Sequence, residues 1–218
     1  MSVVGEPGLP NLAPENSVLL VIDVINACAH PDYEDAERGI HFNKIRQMVP
    51  TLSAFIASYR RLGGRVILTT TVPWREPFLA ENINDLYRES EGARYWSQDE
   101  SGRAELFYEI PTDAATVFVK NSYDAFTNKE LVATLERMNA RYIIVAGVFG
   151  DGCVMASICG GFSKGYRFVI AEDLIETTDD EDRQALQRFL KRRTWPLMYG
   201  KTAESHQVLE VLSQVASE

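Results

Sequence analysis

Five short apolar runs restrict the folds open to this chain: SVLLVID (17–23), RVILTTT (65–71), TVFVK (116–120), YIIVAGV (142–148) and RFVIAED (167–173). Each is of strand length and rich in β-branched residues. They lack the strict polar alternation of a strand with one wet face, which predicts strands buried on both sides. Helical periodicity fills the gaps. Between 42 and 62 the apolar positions Ile45, Met48, Val49, Leu52, Phe55, Ile56 and Tyr59 share one face, and Gly63-Gly64 stops the helix. NKELVATLERMNA, CVMASICGGFSKG and the segments 182–192 and 203–215 read as further helices. TWPLMY (194–199) reads as a short sixth strand, and 72–109 as an irregular excursion holding a short helix.

Strands alternating with helices require right-handed crossovers. The expected fold is α/β: a doubly wound, mostly parallel six-stranded sheet with helices on both faces. No linker or repeat divides the 218 residues, so a single domain over 1–218 is expected. Such sheets bind ligands beyond the C-terminal ends of their strands. Asp23, Lys120 and the turn after Val148 all fall at such ends, so residues distant in sequence can converge there.

The charge balance narrows the partners. A net charge of −9 opposes a phosphate-binding surface, so no nucleic acid is expected, and anionic membranes are equally disfavoured. Neither a basic leader with an apolar core nor a run of about 20 apolar residues is present, which points to a cytoplasmic protein. Three cysteines, Cys28, Cys153 and Cys159, without a CxxC spacing suggest neither a disulfide framework nor a zinc knuckle.

The chemistry concentrates in Gly147-Val148-Phe149-Gly150-Asp151-Gly152-Cys153, which joins a buried strand to a helix. A thiol at a helix N-terminus meets unpaired N–H groups and the positive end of the helix dipole, which favour a thiolate. Lys120 is the cation expected to stabilise it, and Asp23 the carboxylate expected to take its proton. Each residue alone has a plain structural explanation; their shared placement at strand ends argues for a site.

LLVIDVIN, VFVKNSYDAFTNKEL and IIVAGVFGDGCVMASICGGFSKGYRFVIAEDL resemble, in order, three blocks of the isochorismatase-like cysteine hydrolases. That family includes nicotinamidase, N-carbamoylsarcosine amidase and ureidoacrylate amidohydrolase. The resemblance implies a Rossmann-like three-layer sandwich and a catalytic triad of Asp23, Lys120 and Cys153. It also implies a non-proline cis peptide at Val148-Phe149, with the N–H groups of Phe149 and Cys153 forming an oxyanion hole. The expected reaction is hydrolysis of a small amide, ureido or carbamoyl compound through a thioester. Homo-oligomeric assembly is implied as well.

The departures from the family bear on the substrate. Asp23-Val24-Ile25-Asn26-Ala27-Cys28 keeps the acid and Asn26 of the usual Asp-x-Gln-Asn-Asp-Phe but not the remainder, which places Cys28 at the pocket. The family's metal-binding branch places histidines after the second strand. Here 72–96 contains none, so no metal and no cofactor are expected. Trp74, Arg75, Tyr123 and Phe149, with Asn26 and Cys28, are the expected substrate-binding residues, and Arg75 is the carboxylate anchor.

Three other readings compete. Vinyl ether hydrolysis by acid catalysis would need Asp23 but not Cys153. A non-catalytic binding or assembly module would need neither. Dinucleotide binding would use Glu172 or Asp173 as the ribose acid, but Met155 stands where the third fingerprint glycine belongs.

Overall fold

A computed structural model describes residues 11–74, 77–89 and 102–215. Its strands are β1 (Ser17–Ile22), β2 (Arg65–Thr71), β3 (Thr116–Lys120), β4 (Tyr142–Val148), β5 (Arg167–Glu176) and β6 (Gly200–Ala203). Its helices are α1 (Asn26–Ala29), α2 (Asn43–Arg61), α3 (Glu81–Glu89), α4 (Lys129–Arg137), α5 (Met155–Ser163), α6 (Glu181–Phe189), α7 (Trp195–Met198) and α8 (Ser205–Val215).

All six strands are parallel, in the order β3-β2-β1-β4-β5-β6. The order reverses between β1 and β4, and the two chain segments leaving there diverge to open a crevice. Alternate residues of β1 feed two cores. Leu19 and Val21 join α2 and α8, through Leu52, Phe55, Val208 and Leu212. Val18, Leu20 and Ile22 join α4 and α5, through Leu131, Leu135 and Ile158. Double-sided burial explains why β1 reads as an unbroken apolar run. All seven apolar positions expected on the face of α2 are buried.

The β1–β4 pair runs in register from Ser17–Tyr142 to Ile22–Gly147. Gly147 has φ of +112°, and a Cβ there would collide with the backbone of Ile22. Only glycine lets the two strands approach at this point. The turn carrying Cys153 starts immediately after it.

One expected strand is displaced. TWPLMY does not form β6; Trp195–Met198 is the short helix α7, and the strand follows at Gly200–Ala203. Pro196 accounts for this, because a missing N–H is harmless in the first helical turn but removes a ladder donor from a strand. Trp195 is fully buried, while Leu197 and Met198 are exposed. The helix expected over 182–192 ends at Phe189 and passes into a π-type turn, Leu190–Thr194.

Candidate active site

Asp23 follows β1 with φ of +49°, a left-handed conformation that aspartate tolerates better than most residues. Its N–H donates to Thr69 Oγ1 at 3.2 Å, and the Thr69 hydroxyl donates back to Asp23 Oδ1 at 2.7 Å. The second oxygen, Oδ2, lies 2.7 Å from Lys120 Nζ. Asp23 and Lys120 are both only 2% exposed, so this ion pair sits out of water. Lys120 Nζ also donates to Ser122 O at 2.9 Å and to Cys153 Sγ at 3.4 Å. The three sequence-predicted groups therefore meet, with the ammonium bridging carboxylate and thiol.

Electrostatics follow from this packing. Burial alone would drive the Lys120 ammonium to deprotonate, but the charges of Asp23 and Cys153 outweigh it and hold the group well above the ordinary lysine range. Burial dominates at Cys153 and, with Asp23 opposing the neighbouring Lys120, pushes the thiol up to about 12. Burial of the sulfur thus works against the thiolate that the helix N-terminus was expected to favour. The turn Gly150–Val154 is π-type with a non-helical Gly152, and α5 begins only at Met155. Cys153 therefore lies within this turn, two residues ahead of the start of α5. The Val148-Phe149 peptide is cis.

A cavity of about 580 Å³ opens above these groups, within the range of small-molecule sites. Asp23, Cys28, Trp74, Tyr123, Phe149 and Cys153 line it. Trp74 and Tyr123 form one wall with ring centres 5.8 Å apart, and Lys120 Nζ lies 5.8 Å from the Trp74 ring centre. Cys28 is buried, and its desolvated thiol is held well above the ordinary range, so it presents a neutral surface.

One expectation changes. Asn26 does not line the cavity; its side-chain amide donates to Gly102 O at 3.0 Å, fixing a neighbouring segment instead. Asp151 also lines the cavity and is gripped by Arg183, with Nε at 2.7 Å and Nη2 at 2.8 Å, and by the Thr177 hydroxyl at 2.6 Å. Burial would raise the Asp151 carboxyl, but the Arg183 and Thr177 hydrogen bonds prevail and hold it below the usual range. Two acids ahead of α6 cap helices: Asp180 accepts from Arg183 N, while Asp179 caps α2 through the N–H groups of Asn43 and Lys44. Arg75 lies outside the described residues.

Three contributors were missed in the sequence. Thr69 had a signal, since three threonines close an otherwise apolar strand. Arg183 had none: it stacks over the Phe149 ring at 4.7 Å and pairs with an acid 32 positions away. Arg103, also at the cavity, is placed by contacts with residues just after β1. Among the described residues, no cluster of three or more His, Cys, Asp or Glu is arranged to hold a metal ion. Asp173, the ribose acid of the dinucleotide reading, instead caps α8 through Ser205 N at 2.7 Å and Ser205 Oγ at 2.5 Å.

The sequence matches the isochorismatase domain family over residues 17–200. The chain belongs to this family. The secreted isochorismatase effector Isc1 of Verticillium dahliae is 24% identical over 82% of this chain and 81% of its own length. Ureidoacrylate amidohydrolase RutB of Klebsiella pneumoniae is 22% identical, covering 75% and 74%. An uncharacterised isochorismatase family protein of Bacillus subtilis, YaaI, is 24% identical, but the match spans only 53% of that protein. Among solved structures, a cysteine hydrolase from Pseudomonas syringae superposes with a TM-score of 0.79 at 16% identity, covering 93% of this chain and 95% of that one. N-carbamoylsarcosine amidase from Thermoplasma acidophilum gives 0.63 at 18% identity, covering 87% and 96%. The protein is an isochorismatase-family hydrolase. Among the described residues, no helix is long and apolar enough to cross a membrane.

Proposed function

We propose that this protein hydrolyses a C–N bond in a small amide, ureido or carbamoyl compound through a thioester on Cys153. The observation that carries the reading is Lys120 Nζ lying 2.7 Å from Asp23 Oδ2 and 3.4 Å from Cys153 Sγ at the floor of the cavity. The similarity to RutB and to N-carbamoylsarcosine amidase supports the choice of bond.

In this scheme the resting enzyme holds a neutral thiol beside an ionised carboxylate. As the sulfur attacks the substrate carbonyl carbon, its proton passes to Asp23. Lys120 remains charged throughout and offsets the negative charge as it moves from carboxylate to sulfur. The carbonyl oxygen becomes an oxyanion facing the N–H groups of Phe149 and Cys153. Collapse of the tetrahedral species breaks the C–N bond, and the leaving amine takes the proton from Asp23. Water then gives a proton to Asp23 and attacks the thioester; the acid departs and the thiol is restored.

Ammonia release across a panel of small amides, ureides and carbamoyl amino acids tests the reading. Wild type should release ammonia from at least one compound, and Cys153→Ala from none. Equal turnover by Cys153→Ala would reject the thioester and favour vinyl ether hydrolysis, in which Asp23 acts as the acid.

A further inference from the structure

Ile25, Ala27 and Cys28, the positions at which this chain departs from the usual Gln, Asp and Phe, all line the cavity. Each is buried, and with Val148 they belong to the core packed beneath α2, against which Phe149 also rests. The cavity thus meets an exposed face of the core on this side. Backbone groups hold the wall in place: Ile25 N donates to Asp23 O at 2.8 Å, Ile25 bridges to Leu106, Ala27 N donates to Arg103 O at 2.9 Å and Cys28 N donates to Ile25 O at 3.0 Å. None of these bonds uses a side chain, so the shape of the wall is fixed independently of its polarity. Its side chains offer a ligand one weak donor, the Cys28 thiol.

The charged groups at the cavity are engaged elsewhere. Asp23 is held by Lys120 and Thr69, Asp151 by Arg183 and Thr177, and the Arg103 guanidinium lies 4.8 Å from the centre of the Tyr33 ring. The Cys28 thiol feels the charges of Asp23, Cys153 and Lys120, which puts the wall beside the reacting groups rather than at the cavity mouth. Burial keeps that thiol protonated, so the wall is neutral as well as apolar. A polar substituent pressed against such a surface gives up water without gaining a partner, whereas an alkyl group gains from leaving water.

We infer that Ile25, Ala27 and Cys28 form an apolar subsite that receives an alkyl or alicyclic group bonded to the scissile carbonyl, so that the substrate class is a small amide with an uncharged, apolar acyl part. The inference rests on the cavity being the substrate site of the proposed hydrolase and narrows that reading. The three residues then determine specificity, because they decide which acyl group can lie beside Cys153.

Binding measured apart from turnover tests this. In the Cys153→Ala background, calorimetric titration should show cyclohexanecarboxamide binding about tenfold or more tightly than tetrahydropyran-4-carboxamide, which has the same shape but carries an ether oxygen. Affinity should also rise about fourfold per methylene from propionamide to butyramide. Ile25→Gln and Cys28→Ser in that background should each reduce the preference for the cyclohexyl compound. Cys28→Ser changes a single atom of the wall, so its effect is read on a protein that folds. Equal affinities in the Cys153→Ala protein, absence of measurable binding by either ring compound, or a preference undiminished in both variants would each overturn the inference. Ammonia release from amides without any apolar preference would remove the subsite and keep the C–N reading. An apolar preference beside a silent ammonia panel would do the reverse.

Discussion

Thr69 and Asp23 exchange hydrogen bonds in both directions, hydroxyl to carboxylate at 2.7 Å and amide to hydroxyl at 3.2 Å. This reciprocal pair ties the carboxylate to the neighbouring strand and leaves Oδ2 directed at Lys120. Thr69 is 1% exposed, so water cannot replace its hydroxyl. Thr69→Val should cost about 1–3 kcal/mol in unfolding free energy, since it strands a buried acceptor. It should also lower kcat by about ten- to a hundredfold through misplacement of the proton acceptor. Thr69→Ser should restore most of both, and full activity in Thr69→Val would show that the hydroxyl does not orient Asp23.

The buried Asp23–Lys120 pair makes a second prediction, about coupling. Lys120→Met leaves a desolvated carboxylate without its cation and should destabilise the fold by about 3–5 kcal/mol in urea unfolding. Adding Asp23→Asn to Lys120→Met should recover most of that loss while activity stays absent. Simple addition of the two single effects would mean the charges do not sense each other.

Alkaline pH should loosen the protein. Burial raises Cys153 from its usual 9.0 to about 12 and Tyr59 from 10.0 to about 12, and Cys28 shifts in the same direction. A folded pKa above the unfolded one gives stability that is complete below the unfolded value and is lost as pH rises towards the folded value. Tm should therefore fall between about pH 9 and pH 12, and the fall should be shallower in Cys28→Ala/Cys153→Ala. Iodoacetamide labelling of Cys153 should climb through the same range. A Tm unchanged to the top of that range, or labelling that plateaus near neutrality, would contradict a resting thiol.

The Arg183–Asp151 clamp should show itself on the acid side. The Asp151 carboxyl is held below its usual 3.8, so its contribution is present above that pH and is lost as pH falls through the lower folded value. Arg183→Met removes the clamp and the cation stacked on Phe149. The variant should be less stable by about 1.5–3 kcal/mol at neutral pH, with the gap to wild type narrowing towards pH 3. A gap of constant size across that range would assign the loss to packing alone. Weaker substrate binding should accompany it, because Phe149 loses a supporting face.

The sequence by itself determined the layered α/β architecture and the floor of the site. The apolar runs at β1 and β4 cannot be solvated on either face, so they become central strands whatever else the chain does. Their C-terminal ends then bring Asp23 beside the turn of Cys153, and β3 delivers Lys120 to the same side. Only the tertiary structure set the surroundings of the thiol, because burial is a property of the assembled cavity and works against the helix-end effect that neighbouring residues suggested. It also decided the cavity walls. Asp151 meets Arg183 across 32 residues, and Arg103 reaches the cavity because backbone groups of residues 24–27 hold its segment. Backbone hydrogen bonds and long-range ion pairs leave no periodic trace in a sequence, since any residue can supply the former and any pair of opposite charges the latter. The same reason displaced β6: the apolar content of TWPLMY suggested a strand, whereas the missing N–H of Pro196 and the fully buried Trp195 settled it as a helical turn.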